Sequence, residues 1–302
     1  MAKETSGNSG NMKKVVLCIL LTATIFATME VALKIAGTNI DSFELTFLRF
    51  LIGGLILLPS ALMESRRSGY RLNARDCGWM FLLGTVCIPV SMMAFQIGVL
   101  SCNASTAGPL FCINPLFAMV IAHLFTAEKM DRDKWIAFVI GLIAIILMMR
   151  PWDVQEGNSV KGFLIMLFAA ATFGAYAVMG KRSIGRIGTI MQTSVSFILG
   201  SLVLLVIMVL TGHPVTDGIA ANLPVILYCG IVVTGIGYYS YFVAIRESDA
   251  TTGSVAFFIK PAIVPIFAVL LLHETVFWNT VAGIILLIIA STITILDKFR
   301  KR

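Results

Sequence analysis

Lys260 lies in the apolar run ATTGSVAFFIKPAIVPIFAVLLL, about ten residues from its start. At a rise of about 1.5 Å per residue this is about 15 Å along a helix, close to the midplane of a bilayer. An ammonium held there costs at least about 2.5–3.5 kcal/mol. It therefore needs a carboxylate, a polar cavity or loss of its proton. Its chemistry is either to receive an anionic group in a substrate cavity or to close an internal ion pair. Glu30 and Lys34 are four residues apart and share a helix face. Arg49, on the next apolar run, reaches a depth similar to that of Glu30. A Glu30–Arg49 pair is expected, as a staple between two helices or as a site where Glu30 takes a cationic group or a proton. Lys34, nearer the interface, is expected to snorkel. Asn114, Gln96, Tyr176, Tyr238, Tyr239 and Tyr241 are candidate neutral donors, though aromatic residues in such runs often only pack. His123 is a candidate proton carrier because imidazole titrates near neutrality; the plainer reading is a hydrogen-bonded histidine.

These groups do not make an enzyme. A nucleophile–base pair or metal cluster would be needed, and the three histidines (His123, His213, His273) form no HExxH or other ligand spacing. The six cysteines form no CxxC and read as small packed hydrophobes. No metal or cofactor is expected.

The elements that must hold these residues are membrane spans. The chain of 302 residues is 58% hydrophobic and 13% charged, against about 25% charged in soluble domains. Apolar runs at roughly 15–35, 43–63, 78–98, 103–125, 134–150, 161–180, 187–210, 223–245, 250–272 and 277–296 are each wide enough, or nearly so, for a helix to cross about 30 Å of hydrocarbon. Trp79, Trp135, Trp152 and Trp278 fall near their ends, where indole rings favour the headgroup layer. The start of the chain reads as a first span, not as a removed signal peptide. Of the 23 basic residues, 18 fall in the tails and loops of one side, only Arg150 and Lys161 in loops of the other, and Lys34, Arg49 and Lys260 within spans. That bias puts both termini in the cytoplasm and requires an even number of spans. The net charge of +7 forms no continuous basic face, so nucleic acid is not an expected partner.

The chain also repeats itself. INPLFAMVIAHLFTAEKM (113–130) returns as IKPAIVPIFAVLLLHETV (259–276), with Pro115 and Glu128 matched by Pro261 and Glu274 at an offset of 146 residues. Gly84, Ala104 and Thr106 match Gly230, Ala250 and Thr252 at that offset; Phe26 and Lys34 match Phe173 and Lys181 at 147. Five spans per half is an odd number, so the second half must cross in the opposite sense, as in the inverted repeats of secondary transporters. The mismatches are informative: Asn114 stands opposite Lys260, and Glu30 opposite Ala177. Prolines 89, 109, 115, 261 and 265 free carbonyls that should face protein or a wet cavity. Small residues at 101–109 and 248–254 allow close helix approach, and a homodimer through such faces is conceivable.

FATMEVALK (26–34), LTFLRF (45–50) and the two proline-to-glutamate segments, followed by spans carrying Gly141 and Gly283, resemble the EamA-type members of the drug/metabolite transporter (DMT) superfamily. The resemblance covers nearly the whole chain. It implies an all-α integral membrane protein of ten transmembrane helices in two inverted five-helix repeats. Spans 1–4 and 6–9 would line a central cavity, with spans 5 and 10 peripheral. The expected layout is a tail at 1–14, a first repeat at 15–150, an external loop at 151–160, a second repeat at 161–296 and a tail at 297–302. Members carry amino acids, other small metabolites or drugs, many outward and often with protons. The charges around Glu30 depart from the small neutral residues commoner in the first span. The expectation is thus a cytoplasmic-membrane exporter of a polar or zwitterionic, amino-acid-like metabolite. The alternatives are a broad-specificity drug or quaternary-amine exporter and, in another class, a scaffold, receptor or intramembrane enzyme.

Overall fold

A computed structural model describes residues 2–37, 39–70, 72–247 and 250–300. Every regular element among them is a helix, and the helices fall into ten successive segments, numbered below as crossings. The first crossing is broken at Thr28 into α1 (Ala2–Ala27) and α2 (Met29–Ala36), and the second is α3 (Ser42–Ser68). The third runs from α4 (Ala74–Thr85) through a π-helical stretch, Val86–Met92, into α5 (Met93–Leu100). The fourth is broken into α6 (Ala104–Phe111) and α7 (Asn114–Phe125), and α8 (Arg132–Met149) is the fifth. In the second half, α9 (Val160–Ile187) and α10 (Thr189–Thr211) are continuous. The eighth crossing joins α11 (Ile219–Leu227) through π-helical Tyr228–Gly237 to α12 (Tyr238–Glu247); α13 (Ala250–Leu272) and α14 (Trp278–Arg300) complete the chain.

Eight crossings are long and apolar enough to span a membrane. The α8 helix falls short because its 18 residues include Arg132, Asp133 and Lys134, and the described apolar part of α14, Trp278–Thr294, is shorter. Side chains such as Leu210, Phe125, Leu270 and Val209 point outward and are more than 60% exposed. An apolar surface of this extent needs lipid rather than water as its solvent. Polar residues start and stop the helices. The Asp41 carboxylate accepts the N–H groups of Phe43 and Glu44 at the head of α3, and Asn73 with Asp76 forms a reciprocal cap on α4. Gly69 and Gly212, both at positive φ, end α3 and α10.

Contacts between the loops sort into two ends. At one end Lys14 pairs with Glu247, Arg186 with Asp76, and the Glu64 carboxylate accepts the Ile190 and Met191 N–H groups. At the other, His213 meets Asp41, Asn222 donates to the Asn39 carbonyl, and Asn103 donates to the Glu156 carbonyl. This sorting places successive interhelical connections at alternating ends.

The sequence halves interleave rather than forming two separately packed bundles. The first crossing packs on the eighth and ninth, and the sixth packs on the third and fourth. The α3 helix crosses α10, α4 also packs on α10, and α3 packs on the second π-helical stretch. The α8 and α14 helices pack on each other at the edge. Pro89 lies in the first π-helical stretch, whereas the second contains no proline, so wide turns at this level do not depend on that residue.

Candidate functional site

The break at Thr28 places the site's carboxylate. The Thr28 hydroxyl donates to the Ile25 carbonyl at 2.7 Å and lies 2.5 Å from the Tyr228 hydroxyl. The helix restarts at Met29, so Glu30 falls in the first turn of α2, where the helix dipole favours an anion. Lys260, on α13, donates to Glu30 Oε1 at 2.5 Å across 230 residues of sequence. Glu30 is fully buried, Lys260 is 2% exposed, and Arg49 is 1% exposed. The expected Glu30–Arg49 pair therefore does not form: Lys260, carried in by the packing of α1 and α13, takes the carboxylate. Arg49 instead directs Nη1 at the Met29 sulfur, 3.5 Å away, and lies 4.3 Å from the centre of the Phe50 ring. Its Nε and Nη2 atoms have no hydrogen-bond partner among the described residues, nor does Glu30 Oε2.

Around these charges the wall is aromatic. Phe26, Phe50, Phe111, Phe173, Tyr238 and Phe257 surround a small, largely enclosed cavity of about 20 Å³ that Arg49 and Lys260 also line. Two ring contacts in this wall are equivalent in the repeat: Phe26 meets Phe257 at 5.7 Å, and Phe173 meets Phe111 at 5.3 Å. Phe50 packs edge-on to Phe197, its own counterpart, at 4.9 Å. The charged residues break this symmetry. Ala177 corresponds to Glu30, Asn114 to Lys260 and Ser196 to Arg49.

The remaining sequence candidates divide. Asn114 donates to the Phe111 carbonyl at 2.8 Å and so closes the break between α6 and α7. Gln96 is fully buried, with neither amide atom partnered among the described residues, but it is not part of the cavity wall. Tyr176 packs tilted against Phe173, with ring centres 5.5 Å apart, behind the wall. Tyr239 is 41% exposed and lines an end crevice with Glu64, Arg67 and Arg246. Its neighbour Tyr238 faces the cavity instead, because one helical residue rotates the side chain by about 100°. His123 accepts the Met130 N–H at its Nδ1 and packs against Trp135 near the end of α7. Sequence reasoning missed the aromatic wall, although the Phe26–Phe173 match was a visible trace of it.

Two further ion pairs are repeat equivalents. Lys34 does not snorkel: it pairs with Glu274 at 2.9 Å and donates to the Cys102 carbonyl at 2.8 Å. Glu274 also accepts the N–H groups of Ala104 and Ser105 and the Ser105 hydroxyl, capping α6. Burial pushes the Glu274 pKa up, but the Ser105 N–H, the Lys34 ammonium and the Ala104 N–H outweigh it and hold the carboxyl below its ordinary value. At the opposite end, Lys181 pairs with Glu128 beside a crevice of about 480 Å³ between α7 and α9. The first pair is largely buried, with side chains 25% and 8% exposed, and the second is open at 68% and 53%.

A multi-pass helical protein with charges enclosed between interleaved halves has the makings of a membrane transporter. The profile of the EamA-like transporter family matches residues 13–150 and again 160–296. The chain belongs to that family, within the DMT superfamily, and is a transporter rather than an enzyme. It is 35% identical to a Clostridium kluyveri protein described as an uncharacterized transporter, over 93% of each chain. An Archaeoglobus fulgidus protein with the same description is 22% identical over 90% of this chain and 95% of its own. An S-adenosylmethionine uptake transporter of Rickettsia prowazekii is 24% identical over 55% of this chain and 54% of its own. A crystal structure that is 16% identical superposes with a TM-score of 0.66, covering 95% of this chain and 98% of the other, and shares the fold.

Proposed function

We propose that this protein is a secondary carrier that exports a small polar metabolite of amino-acid size across the cytoplasmic membrane by alternating access, with both termini in the cytoplasm. The observation that carries this reading is the unequal burial of the two repeat-related ion pairs. Both pairs are formed, but Lys34–Glu274 is enclosed at one end while Lys181–Glu128 is exposed to solvent at the other. The bias of basic loop residues makes the enclosed end external. Exchanging the halves turns the first crossing on the ninth into the sixth on the fourth, and the first on the eighth into the sixth on the third, and all four packings are present. This supports an inverted repeat whose opposite conformation would enclose the cytoplasmic pair and expose the external one. Cargo would reach the Glu30–Lys260 pair at mid-depth, and a proton arriving on Glu30 would release Lys260.

The aromatic wall also suits a quaternary-amine drug. Two buried cations against one carboxylate oppose that reading, because a cationic cargo would add to the excess charge. The S-adenosylmethionine relatives match only about half of the chain, so their cargo is not carried over.

Counterflow in liposomes tests the proposal without presupposing a direction. Purified protein should exchange at least one labelled solute from a panel of amino acids and organic acids. Lys260→Ala, eluting as a single monodisperse species, should exchange it at least about tenfold more slowly. Exchange no faster than in protein-free liposomes across the whole panel would reject the carrier.

A further inference from the structure

Among the described residues, the Arg49 guanidinium is the charged group of the cavity wall that no carboxylate contacts in an ion pair. Lys260 and Glu30 satisfy each other at 2.5 Å. Arg49 offers one nitrogen to a methionine sulfur, a weak acceptor. The two nitrogens without a partner among the described residues are Nε and Nη2. These two share one edge of the planar guanidinium, the edge on which both oxygens of a carboxylate dock through parallel hydrogen bonds. Even if Arg49 swung onto Glu30 Oε2, the trio would still hold two cations and one anion. A buried excess charge is costly until an anion meets it. A zwitterion leaves the excess unchanged, a cation doubles it, and a monoanion cancels it. Beyond the two cations the wall is mostly rings, Phe26, Phe50, Phe111, Phe173, Tyr238 and Phe257, with Met29, Met92 and Thr234 between them.

We infer that Arg49 anchors a site for a monocarboxylate with an apolar, ring-sized body, and that the cargo is net anionic rather than zwitterionic or cationic. The inference deepens the carrier reading and rests on it for the word cargo; the site itself stands on the geometry. At about 20 Å³ the cavity has room near Arg49 for little more than one water-sized group. The rings must therefore separate when one end opens, and the carboxylate meets Arg49 as the body enters between them.

Four related probes separate the charge states on one scaffold: phenylacetate, phenylacetamide, phenethylamine and phenylalanine. Binding of each to the full chain in nanodiscs is followed by calorimetry. Phenylacetate should bind at least about tenfold more tightly than the amide, the amine or the zwitterion. Arg49→Gln should weaken phenylacetate at least tenfold and erase its advantage over phenylacetamide. Arg49→Lys, which keeps the charge and loses the planar fork, should keep the preference for the anion at reduced affinity. The Lys variant is read alone if the Gln variant is not monodisperse. Failure of monodisperse wild-type protein to bind phenylacetate would overturn the inference. So would equal or tighter binding of the amine or zwitterion, or phenylacetate affinity that Arg49 substitution leaves unchanged. Liposome counterflow keeps the two readings apart. Arg49-dependent binding without flux would reject the carrier and keep the site, whereas flux of another solute unaffected by Arg49→Gln would keep the carrier and reject the site.

Discussion

Replacing Lys260 with Met removes the hydrogen-bonded partner of the buried Glu30 carboxylate, a change that costs about 3–5 kcal/mol when one partner of such a pair is lost. Glu30→Gln leaves the opposite charge behind. The double variant Glu30→Gln/Lys260→Met should recover most of either loss, and the cycle is measured by unfolding each purified variant in micelles. Arg49 predicts the reverse sign. Because its Nε and Nη2 lack partners, Arg49→Met should raise stability by about 1 kcal/mol or more; a loss of that size would mean that Arg49 staples helices instead. Glu274 gives a pH prediction. Its folded-state pKa lies below its ordinary 4.5, so its contribution is complete above about 4.5 and is lost as pH falls through the depressed value. Glu274→Gln should therefore destabilise at pH 7 and converge on wild type in acid. A gap that persists unchanged at low pH would contradict the assignment. At this scale the sequence revealed what was buried but not what it met. Lys260 was legible because an apolar run surrounds it, but its pairing with Glu30 joins residues 230 apart, which only helix packing decides.

Helices were the most legible level, because an apolar run of about 20 residues has few other ways to satisfy its backbone in lipid. Their interruptions were harder to read. The break at Thr28 depends on a hydroxyl meeting Tyr228, and the second π-helical stretch contains no proline to announce it. The duplicated Pro115 and Pro261 even act differently: Pro115 opens α7 after a break, whereas Pro261 sits inside unbroken α13. Interhelical approach, by contrast, can be tested one atom at a time. A Cβ on Gly84 would lie 2.2 Å from the Ser196 carbonyl oxygen, and one on Gly200 would lie 2.3 Å from the Gly84 oxygen. Backbone cannot yield as a side-chain tip does, so α4 and α10 would have to separate. Gly84→Ala and Gly200→Ala should each cost about 1–3 kcal/mol, measured as loss of monodisperse protein on heating. Gly78→Ala, with open space around its Cβ, serves as the control and should not destabilise, since alanine favours a helix interior over glycine by up to about 1 kcal/mol.

For the molecule as a whole, alternating access requires that the two ends never open together and that neither stays shut. The two lysine–glutamate pairs offer a direct handle on both conditions. They occupy equivalent places in the repeat, and one is buried while the other is exposed. With the native cysteines replaced, a short bifunctional thiol reagent can bridge cysteines at 34 and 274, or at 128 and 181. The first bridge should form readily in the conformation described here, where those ends are already in contact, and should abolish counterflow. The second pair is also in contact here, so its bridge should form as well and abolish counterflow equally, with reduction or cleavage of the bridge restoring flux in both. Each bridge should also change the reactivity of the other end: sealing 128 to 181 should expose a single cysteine at 34 to a membrane-impermeant maleimide. A channel behaves differently, since a bridge at an end that opens independently would leave the other end's accessibility unchanged. Counterflow that continues with either end covalently shut would remove alternating access as the mechanism, whatever the cargo proves to be.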